Sequence, residues 1–413
     1  MNHSLDASDP LTHVDLPTGS GAETRAASRA ESPSGSGAEI VVDLAAIRHN
    51  VAALKARVGG SQMMTVVKAD GYGHGMVEVA GAARSAGADW LGVAVAKEAL
   101  ALRAAGDTGR ILSWLTVPGE DYRPCVKADV DVSAYTVAEL AEIRAAARAV
   151  GRTARVQLKV DTGLSRGGAS VELWPDLVRE AVRAQDAGDA VVTGVWSHLA
   201  CSDEPGHRAN AEQEQVFRSA CEVADAAGLE PEVRHLANSG AALLRPSARF
   251  DLVRCGIASY GLTPAPDVVS SAELGLVPAM TVQARLAMVK RIPAGAGVSY
   301  GHTFHAPSAM SVGVVPIGYG DGILRHASSR AEVLVAGSRR PILGRVCMDQ
   351  FVVAVDDGSV AGDPVVLFGG GAPSAQDWAD ACGTISYEIV TRIGGRLVRR
   401  HVDSVTEQEG EPQ

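Results

Sequence analysis

The sequence predicts an α/β fold in which an N-terminal (β/α)8 barrel is followed by a mainly-β C-terminal domain. Between residues 63 and 261, short apolar runs alternate with longer alanine-rich stretches. Strands separated by helices in this way form a parallel sheet covered by helices, and eight such units in about 200 residues favour a closed barrel. From residue 276 onwards, short β runs separated by Pro and Gly replace this alternation, which indicates a second domain of a different class.

The barrel prediction depends on eight apolar runs and the helical patterns between them. The clearest helical patterns cover residues 137–150, 173–187 and 210–227. A doubly wound open sheet is the alternative, but neither a GxGxxG fingerprint nor a GK[ST] loop supports it. The predicted strands begin near Met63, Trp90, Ile111, Val130, Val156, Val191, Val233 and Leu252.

We assign residues 39–275 to the barrel domain and residues 276–405 to the mainly-β domain, which ends with two short helices near 374–381 and 386–393. Residues 1–38 contain few large apolar side chains, so we expect a disordered leader. This leader has no charged segment running into an apolar one, so it does not resemble a secretory signal. Residues 406–413 form a polar tail.

Composition narrows the classes of partner and compartment. The net charge of −10 argues against nucleic acid and against an anionic membrane surface. No apolar run reaches the roughly 18 residues that a membrane span needs. The six cysteines are scattered without a CxxC pair, which is typical of free thiols in a reducing compartment. We therefore expect a cytoplasmic protein.

A single lysine ends the first predicted strand. Lys68 follows the apolar run 63–67, so its amine lies at the end of a rigid element. Burial lowers the pKa of a lysine, and only the neutral amine forms an imine with an aldehyde. Gly71, Gly73 and Gly75 follow at alternate positions, where we expect them to let the backbone approach a bulky ligand.

Polar residues also follow the fifth to eighth predicted strands. Barrel enzymes place their chemistry at the C-terminal ends of the strands, and the loops after strands seven and eight commonly hold a phosphate. A lysine next to a phosphate seat suggests pyridoxal phosphate bound as an imine. Besides Lys68, the residues expected on this rim are Arg166, His198, Asn238, Ser239, Gly240, Arg254, Gly256 and Ile257.

The ordered motifs resemble those of alanine racemases, which are fold-type III pyridoxal-phosphate enzymes. The resemblance extends over residues 38–405 and therefore over both predicted domains. It rests on VVKADGYGHG (66–75), KVDTGLSRGG (159–168), WSHLACSDE (196–204), HLANSGA (235–241), RCGIASYG (254–261), VSYG (298–301), GYGDG (318–322), GRVCMDQF (344–351) and ISYE (385–388).

The resemblance implies roles for individual residues. Lys68 would carry the cofactor and act as the base for D-alanine, while Tyr300 would be the base for L-alanine on the opposite face. Because Tyr300 lies in the second domain, we expect its partner barrel to belong to the other subunit of a head-to-tail homodimer. The other implied cofactor contacts are Tyr72, His198, Asn238, Ser239, Arg254, Gly256, Ile257 and Tyr387; the substrate contacts are Arg166 and Met348; the supporting residues are Lys159, Tyr319 and Asp349.

Three of these implied roles carry specific expectations. Arg254 would face the pyridine nitrogen and leave it unprotonated, because arginine only donates hydrogen bonds. The weaker electron sink that results discourages transamination. His198 would hydrogen-bond with both Arg254 and Tyr300. Lys159 would be carbamylated, so that its charge attracts Arg166 instead of repelling it.

The predicted activity is the interconversion of L-alanine and D-alanine, which supplies D-alanine for peptidoglycan. Two alternatives remain, namely a non-catalytic pyridoxal-phosphate-binding protein and a fold-type III amino-acid decarboxylase. The first class lacks the second domain and a base at Tyr300, and the second is expected to pair the pyridine nitrogen with a carboxylate rather than with Arg254. We expect no metal site, because Asp161 has no second ligand at usable spacing.

Overall fold

The computed structural model describes residues 37–371 and 373–404. The predicted leader lies outside these residues except for Gly37 and Ala38, and the predicted tail 406–413 lies outside them entirely. In chain order, the strands of the first half are β1 (Ala38–Asp43), β2 (Gln62–Val66), β3 (Trp90–Val93), β4 (Arg110–Ser113), β5 (Asp131–Ala134), β6 (Ala154–Lys159), β7 (Ala190–Trp196), β8 (Val233–His235) and β9 (Leu252–Cys255).

Strands β2–β9 form the predicted barrel. All pair in parallel, in the order β8-β7-β6-β5-β4-β3-β2-β9, and each predicted strand start lies within two residues of an observed strand. The gap between β8 and β9 is bridged by the Arg254 N–H, which donates to the Ala237 carbonyl at 2.9 Å. These strands are apolar because both of their faces are buried, and the (β/α)8 prediction is therefore confirmed.

Helices cover the outside of the barrel. The predicted 137–150 helix forms with those bounds because Thr136 and Glu139 make reciprocal cap hydrogen bonds and Gly151 ends it in a left-handed conformation. The helices of the first half are α1 (Leu44–Val58), α2 (Lys68–Tyr72), α3 (Met76–Ser85), α4 (Ala96–Ala104), α5 (Arg123–Lys127), α6 (Val137–Val150), α7 (Trp174–Asp186), α8 (Arg208–Ala226) and α9 (Ser239–Leu244).

The second half is mainly strands, as predicted. Nine strands form a mostly antiparallel sheet in the order β11-β14-β17-β16-β15-β18-β10-β1-β19, and β12 and β13 form a separate hairpin. The strands and helices are β10 (Met280–Arg285), β11 (Met288–Ile292), β12 (Gly297–Val298), β13 (Phe304–His305), β14 (Met310–Val315), β15 (Glu332–Val335), β16 (Ser338–Leu343), β17 (Phe351–Val355), β18 (Pro364–Phe368), α10 (Ala375–Cys382), α11 (Ser386–Arg392) and β19 (Val398–Val402).

Strand β1 lies in the second sheet, although we had assigned residues 39–275 to the barrel domain. It pairs antiparallel with β10 and parallel with β19. Ile40 and Val42 are fully buried, and Glu39 forms an ion pair with Arg400 at 3.1 Å. The assignment fails for this strand because the barrel is already complete without it, whereas β10 offers a free edge. The first and last strands of the described residues thus both lie in the second sheet.

In the residues described, no helix combines the length and the apolar character needed to cross a bilayer.

Candidate active site

A cavity of about 340 Å³ opens at the C-terminal rim of the barrel. It brings together most of the residues that the motifs singled out, although they are distant in sequence. Its wall is formed by Val66, Lys68, Tyr72, Trp114, Arg166, Trp196, His198, Asn238, Ser239, Arg254, Gly256, Ile257, Tyr387 and Thr391. Tyr387 and Thr391 come from α11, so the second half of the chain closes one side of the cavity.

Lys68 begins a strained left-handed turn directly after β2. Ala69, Asp70 and Tyr72 have φ values of 53°, 54° and 52°, which cost L-residues of this kind roughly 1–2 kcal/mol each. The turn is held from outside, since Glu98 accepts from the Ala69 N–H at 2.8 Å. Backbone strain of this kind persists only where neighbouring groups hold the strained conformation. The strained turn in its own right sets the position of the Lys68 Cα and thus where the side chain begins.

Gly73 and Gly75 of this turn serve packing rather than the approach of a ligand, contrary to our expectation. A Cβ at Gly73 would lie 2.3 Å from the carbonyl oxygen of Val390 in α11. A Cβ at Gly75 would lie 2.6 Å from the ring of His401 in β19. Both glycines also have positive φ. The glycines therefore let the lysine turn pack closely against the second half of the chain.

The second half also holds the turn by polar contacts. Arg399 of β19 forms an ion pair with Asp70 at 2.8 Å and donates from Nε to the Gly73 carbonyl at 3.0 Å. His401 Nε2 lies 2.8 Å from the carbonyl oxygen of His74. Arg399 and His401 are two residues apart in β19 and therefore lie on the same face of the strand. Both contact the segment that carries Lys68.

The amine of Lys68 faces the cavity. Burial, and then the positive charge of Arg166, lower the pKa of Lys68 below that of an ordinary lysine. Its Nζ lies 5.7 Å from the centre of the Trp114 ring. A lowered pKa increases the fraction of neutral amine, which is the form that reacts with aldehydes and accepts a proton.

Arg254 is fully enclosed by neutral acceptors. Its NH2 donates to the carbonyls of Ser197 at 2.7 Å and Leu236 at 3.1 Å, and to His198 Nδ1 at 3.1 Å. Its NH1 donates to His235 Nδ1 at 3.0 Å. Within the described residues, no carboxylate pairs with Arg254 and no protein atom accepts from its Nε. Burial lowers the pKa of Arg254 to about 9, so the guanidinium stays charged at neutral pH.

His235 and Gln157 hold Arg254 from inside the barrel. Arginine only donates, so His235 Nδ1 must be the acceptor and its Nε2 must carry the proton. That proton is directed at Gln157 Oε1, 2.7 Å away. The ring stacks on Trp196 with an interplanar angle of 3°. Burial, and then the charge of Arg254, keep the pKa of His235 well below its usual value, so the neutral form persists.

The opposite side of the cavity is suited to an anion. The Gly256 N–H donates to Ser239 Oγ at 2.9 Å, which leaves the hydroxyl hydrogen of Ser239 free for another acceptor. A Cβ at Gly256 would lie 2.4 Å from the Tyr72 hydroxyl, so only glycine fits beside it. Asn238 caps α9 through its side chain, which accepts from Ala241 N at 3.2 Å. The hydroxyls of Ser239 and Tyr72 fit a phosphate, and Arg254 Nε and the Lys68 amine fit the pyridine nitrogen and aldehyde of pyridoxal phosphate.

Lys159 and Arg166 lie on one side of this site. Lys159 is buried, with Nζ 4.3 Å from the centre of the Trp196 ring and 4.8 Å from that of Tyr135. Burial, and then the charges of Arg254 and Arg166, lower the pKa of Lys159 to about 8. Arg166 lines the cavity, whereas Lys159 lies behind it.

Four predicted residues from the second half lie outside the cavity. Tyr300, Met348 and Tyr319 are 70%, 54% and 40% exposed, and Asp349 pairs with Arg396 at 2.7 Å on the surface. Within the chain no hydrogen bond joins Tyr300 to His198, both of which the structure describes. None of the four lines the cavity of its own chain.

The turn before Tyr300 is strained. Ser299 has φ 61° and ψ −171°, a region that is essentially reserved for glycine. Its Oγ donates to the Arg345 carbonyl at 2.7 Å, and the Cys347 sulfur lies 3.3 Å away. The strain fixes the direction in which the exposed Tyr300 ring projects.

Sequence reasoning missed four contributors to the site as functional residues. Trp114 follows directly after β4, and Thr391 lies one turn beyond Tyr387 in α11. Gln157 and His235 are polar residues inside strands that are otherwise apolar and buried. A polar side chain at such a position needs a buried partner, and this signal was available in the sequence.

The comparisons with known proteins agree with the fold. The family profile described as "Alanine racemase, N-terminal domain" matches residues 42–264, and that described as "Alanine racemase, C-terminal domain" matches residues 279–401. The alanine racemase of Frankia casuarinae is 53% identical over 380 residues, which cover 91% of this chain and 99% of the relative.

Solved structures give the same result. The alanine racemase of D-cycloserine-producing Streptomyces lavendulae superposes with a TM-score of 0.89 at 51% identity, covering 92% of this chain and all of the other. That of Bacillus anthracis with bound L-Ala-P superposes with a TM-score of 0.81 at 32% identity, covering 90% of this chain and 96% of the other. The chain is an enzyme that belongs to the alanine racemase family.

Proposed function

We propose that this enzyme interconverts L-alanine and D-alanine with bound pyridoxal phosphate and two bases, Lys68 and Tyr300. The observation that carries the proposal is the meeting of three features in one cavity. These are a lysine with a lowered pKa, an anion seat at Ser239 and Gly256, and an arginine without a carboxylate partner.

The cofactor is proposed to bind with its phosphate at Tyr72, Ser239, Gly256, Ile257 and Tyr387. The free hydroxyl hydrogen of Ser239 supports this placement, and Gly256 supports it because it lets the Tyr72 hydroxyl lie close to the seat. Asn238 holds α9 so that Ser239 faces the seat. When bound, pyridoxal phosphate supplies an electron-accepting ring that disperses negative charge from the substrate α-carbon.

Arg254 is proposed to donate from Nε to the pyridine nitrogen. All of the side-chain and backbone groups around its NH1 and NH2 are neutral acceptors, so none of them removes its charge or its proton at neutral pH. A protonated arginine cannot give the ring nitrogen a full proton without a large cost, and the ring remains a moderate electron sink. This arrangement favours racemisation over transamination, and it disfavours the decarboxylase alternative.

The two bases are proposed to act on opposite faces of the substrate. Lys68, freed by the substrate amine, takes the α-proton of D-alanine, and Tyr300 of the other subunit takes that of L-alanine. The exposure of Tyr300 and its absence from the wall of its own chain's cavity support a shared site in a head-to-tail homodimer. His198 Nδ1 accepts from Arg254, so its Nε2–H remains to contact the incoming Tyr300.

The substrate carboxylate is proposed to lie between Arg166 and the backbone of Met348, with Tyr319 and Asp349 at the entrance. Arg166 lines the cavity, and the other three residues are exposed on the second sheet, where a partner can meet them. The Bacillus anthracis relative binds L-Ala-P, which supports a substrate with a small side chain. In the cell, we propose that the enzyme is cytoplasmic and supplies D-alanine for peptidoglycan.

A racemisation assay over a panel of L- and D-amino acids, resolved by chiral chromatography, tests the proposal. We expect alanine to be converted fastest, in both directions, by protein that shows the visible absorbance of a lysine imine. Absorbance without turnover would instead indicate a cofactor-binding protein. Loss of carbon dioxide from the substrate would indicate a decarboxylase.

A further inference from the structure

Strand β19 divides its contacts between the second sheet and the turn that carries Lys68. It lies at the edge of the nine-stranded sheet and pairs in parallel with β1. Successive side chains of a strand point to opposite faces. Arg399 and His401 accordingly contact the lysine turn, whereas Arg400 between them pairs with Glu39 of β1 at 3.1 Å. One face of β19 therefore serves the lysine turn, and the other serves its own sheet.

Arg399 contacts two separate positions of the turn. Its NH1 lies 2.8 Å from Asp70 Oδ2, and its Nε donates to the Gly73 carbonyl at 3.0 Å. The other carboxylate oxygen of Asp70 accepts from the Met76 N–H at 3.0 Å. The guanidinium is planar and its donors have fixed directions. Arg399 therefore fixes the middle of the turn relative to its end.

The turn needs such support because its backbone is strained. Ala69, Asp70 and Tyr72 all have positive φ, and residues of this kind leave that region unless the surrounding structure holds them. Glu98 of α4 holds the start of the turn by accepting from the Ala69 N–H at 2.8 Å. Arg399 holds the rest from the second half of the chain. Loss of either contact is expected to let the turn relax.

The contacts of Arg399 suit local positioning better than overall stability. The side chains of Arg399 and Asp70 are 24% and 56% exposed, and ion pairs this exposed contribute little to the free energy of unfolding. The Gly73 carbonyl, by contrast, is in a buried residue, and a buried acceptor that loses its donor is costly. Removal of Arg399 is therefore expected to change the conformation of the turn more than the stability of the fold.

We propose that Arg399 is a positioning residue for Lys68, because it holds the strained turn in one conformation and so fixes where the amine enters the cavity of the same chain. The importance of that amine rests on the proposed function. A misplacement of about 1 Å at a reacting group can lower a rate about 100-fold, so a small relaxation of the turn matters. The second half of the chain then acts in two ways, with Tyr300 serving another chain and Arg399 its own.

The test compares variants of the holoenzyme by visible circular dichroism. Pyridoxal phosphate is achiral, so its imine gives a circular dichroism band only where the protein holds it asymmetrically, and the band reports how Lys68 presents it. We expect Arg399→Met to keep the imine absorbance, to change the intensity of this band, and to lower kcat about tenfold with little change in KM. Arg399→Lys keeps a charge opposite Asp70 but loses the planar fork, so its band and kcat are expected to lie between those of Arg399→Met and the parent.

Arg400→Met is the matched control. It removes an ion pair from the adjacent position of the same strand, so we expect a lower melting temperature with the band and kcat of the parent. A parent-like band in every Arg399 variant that folds would overturn the proposal and leave Arg399 with a stabilising role only. The band is measured without substrate, so a parent protein that shows it but does not racemise alanine would contradict the proposed function alone.

Discussion

The barrel and the second sheet contribute to the site in contrasting ways. The barrel residues Lys68, His198, Ser239 and Arg254, which we call the rim cluster, line one cavity within a single chain. The residues Tyr300, Tyr319, Met348 and Asp349, which we call the outer group, are exposed and lie outside it. The proposed function explains this contrast by letting the rim cluster of one chain meet the outer group of another.

The two groups also differ in how they are held. Neutral hydrogen-bond partners and a strained turn fix the rim cluster inside its own chain. By contrast, only the turn at Ser299 fixes Tyr300, whose ring has no partner group within the chain's described residues. Under the proposed function, this contrast means that cofactor binding needs one chain, whereas racemisation needs two. The following experiments test this division, from the largest expected effect to the smallest.

Removing the amine of the rim cluster has the largest expected effect. We expect Lys68→Ala to lose both the visible imine absorbance and racemisation, by about 10⁴-fold or more, because the residue is both attachment point and base. Absorbance spectra and chiral chromatography measure the two losses. Lys97→Ala, which changes an exposed lysine on α4, is the control and is expected to behave like the parent. Imine absorbance retained in Lys68→Ala would place the attachment point elsewhere.

Changing the outer group is expected to separate binding from turnover. We expect Tyr300→Phe to keep the imine absorbance but to lose racemisation in both directions, by about 10²–10⁴-fold. Exchange of the α-proton in deuterated water, followed by NMR, is expected to continue for D-alanine through Lys68 and to fall far more for L-alanine. Equal losses for the two enantiomers would contradict the assignment of one base to each face.

The interior support of Arg254 is expected to have a smaller effect. His235→Phe keeps the stacking on Trp196 but removes the donor for Gln157 and the imidazole acceptor for Arg254 NH1, which retains only the residue 235 carbonyl at 3.2 Å. We expect kcat per cofactor-loaded site to fall about tenfold, with little change in KM. The exposed His326→Phe serves as a control. A lower melting temperature with an unchanged kcat would show that His235 only stabilises the barrel.

The fraction of Lys159 that is carbamylated is expected to vary with pH, without function being abolished. The Nζ lone pair would attack carbon dioxide to form a C–N bond, and the displaced proton would go to solvent. Because the pKa of Lys159 is lowered from 10.5 to about 8, the reactive neutral amine increases as the pH rises through 8. With ¹³C-bicarbonate, we expect a carbamate NMR signal that grows from pH 7 to pH 9 and is absent in Lys159→Met. A signal that persists in Lys159→Met would assign it to another amine.

The sequence predicted the barrel well because local features encode it. Each strand from β2 to β9 is a mainly apolar run with its own flanking turn. The alternation of such runs with helical segments, together with their composition, was therefore sufficient to predict the barrel. Lys68 and Ser239 were placed on the rim because each follows such a strand within four residues. Strand β1 was misassigned because its partners β10 and β19 are more than 200 residues away, and periodicity carries no information on which strands pair.

The roles of the glycines and of His235 needed the structure for the same reason. Gly73 meets Val390 and Gly75 meets His401, contacts that join segments more than 300 residues apart. His235 touches Arg254 and Gln157 only because three strands of the closed barrel project them into one interior layer. The roles of these residues therefore depend on long-range packing, which local sequence patterns do not encode.

The central claim is that each site combines the rim cluster of one chain with Tyr300 of another. Its most direct test mixes inactive Lys68→Ala protein with inactive Tyr300→Phe protein under conditions that exchange subunits. Random exchange makes half of the dimers mixed, and each mixed dimer has one intact site out of two. We therefore expect about a quarter of the parent activity to return. If mixed dimers form, as native mass spectrometry can verify, and no activity returns, each chain must complete its own site and the account is wrong.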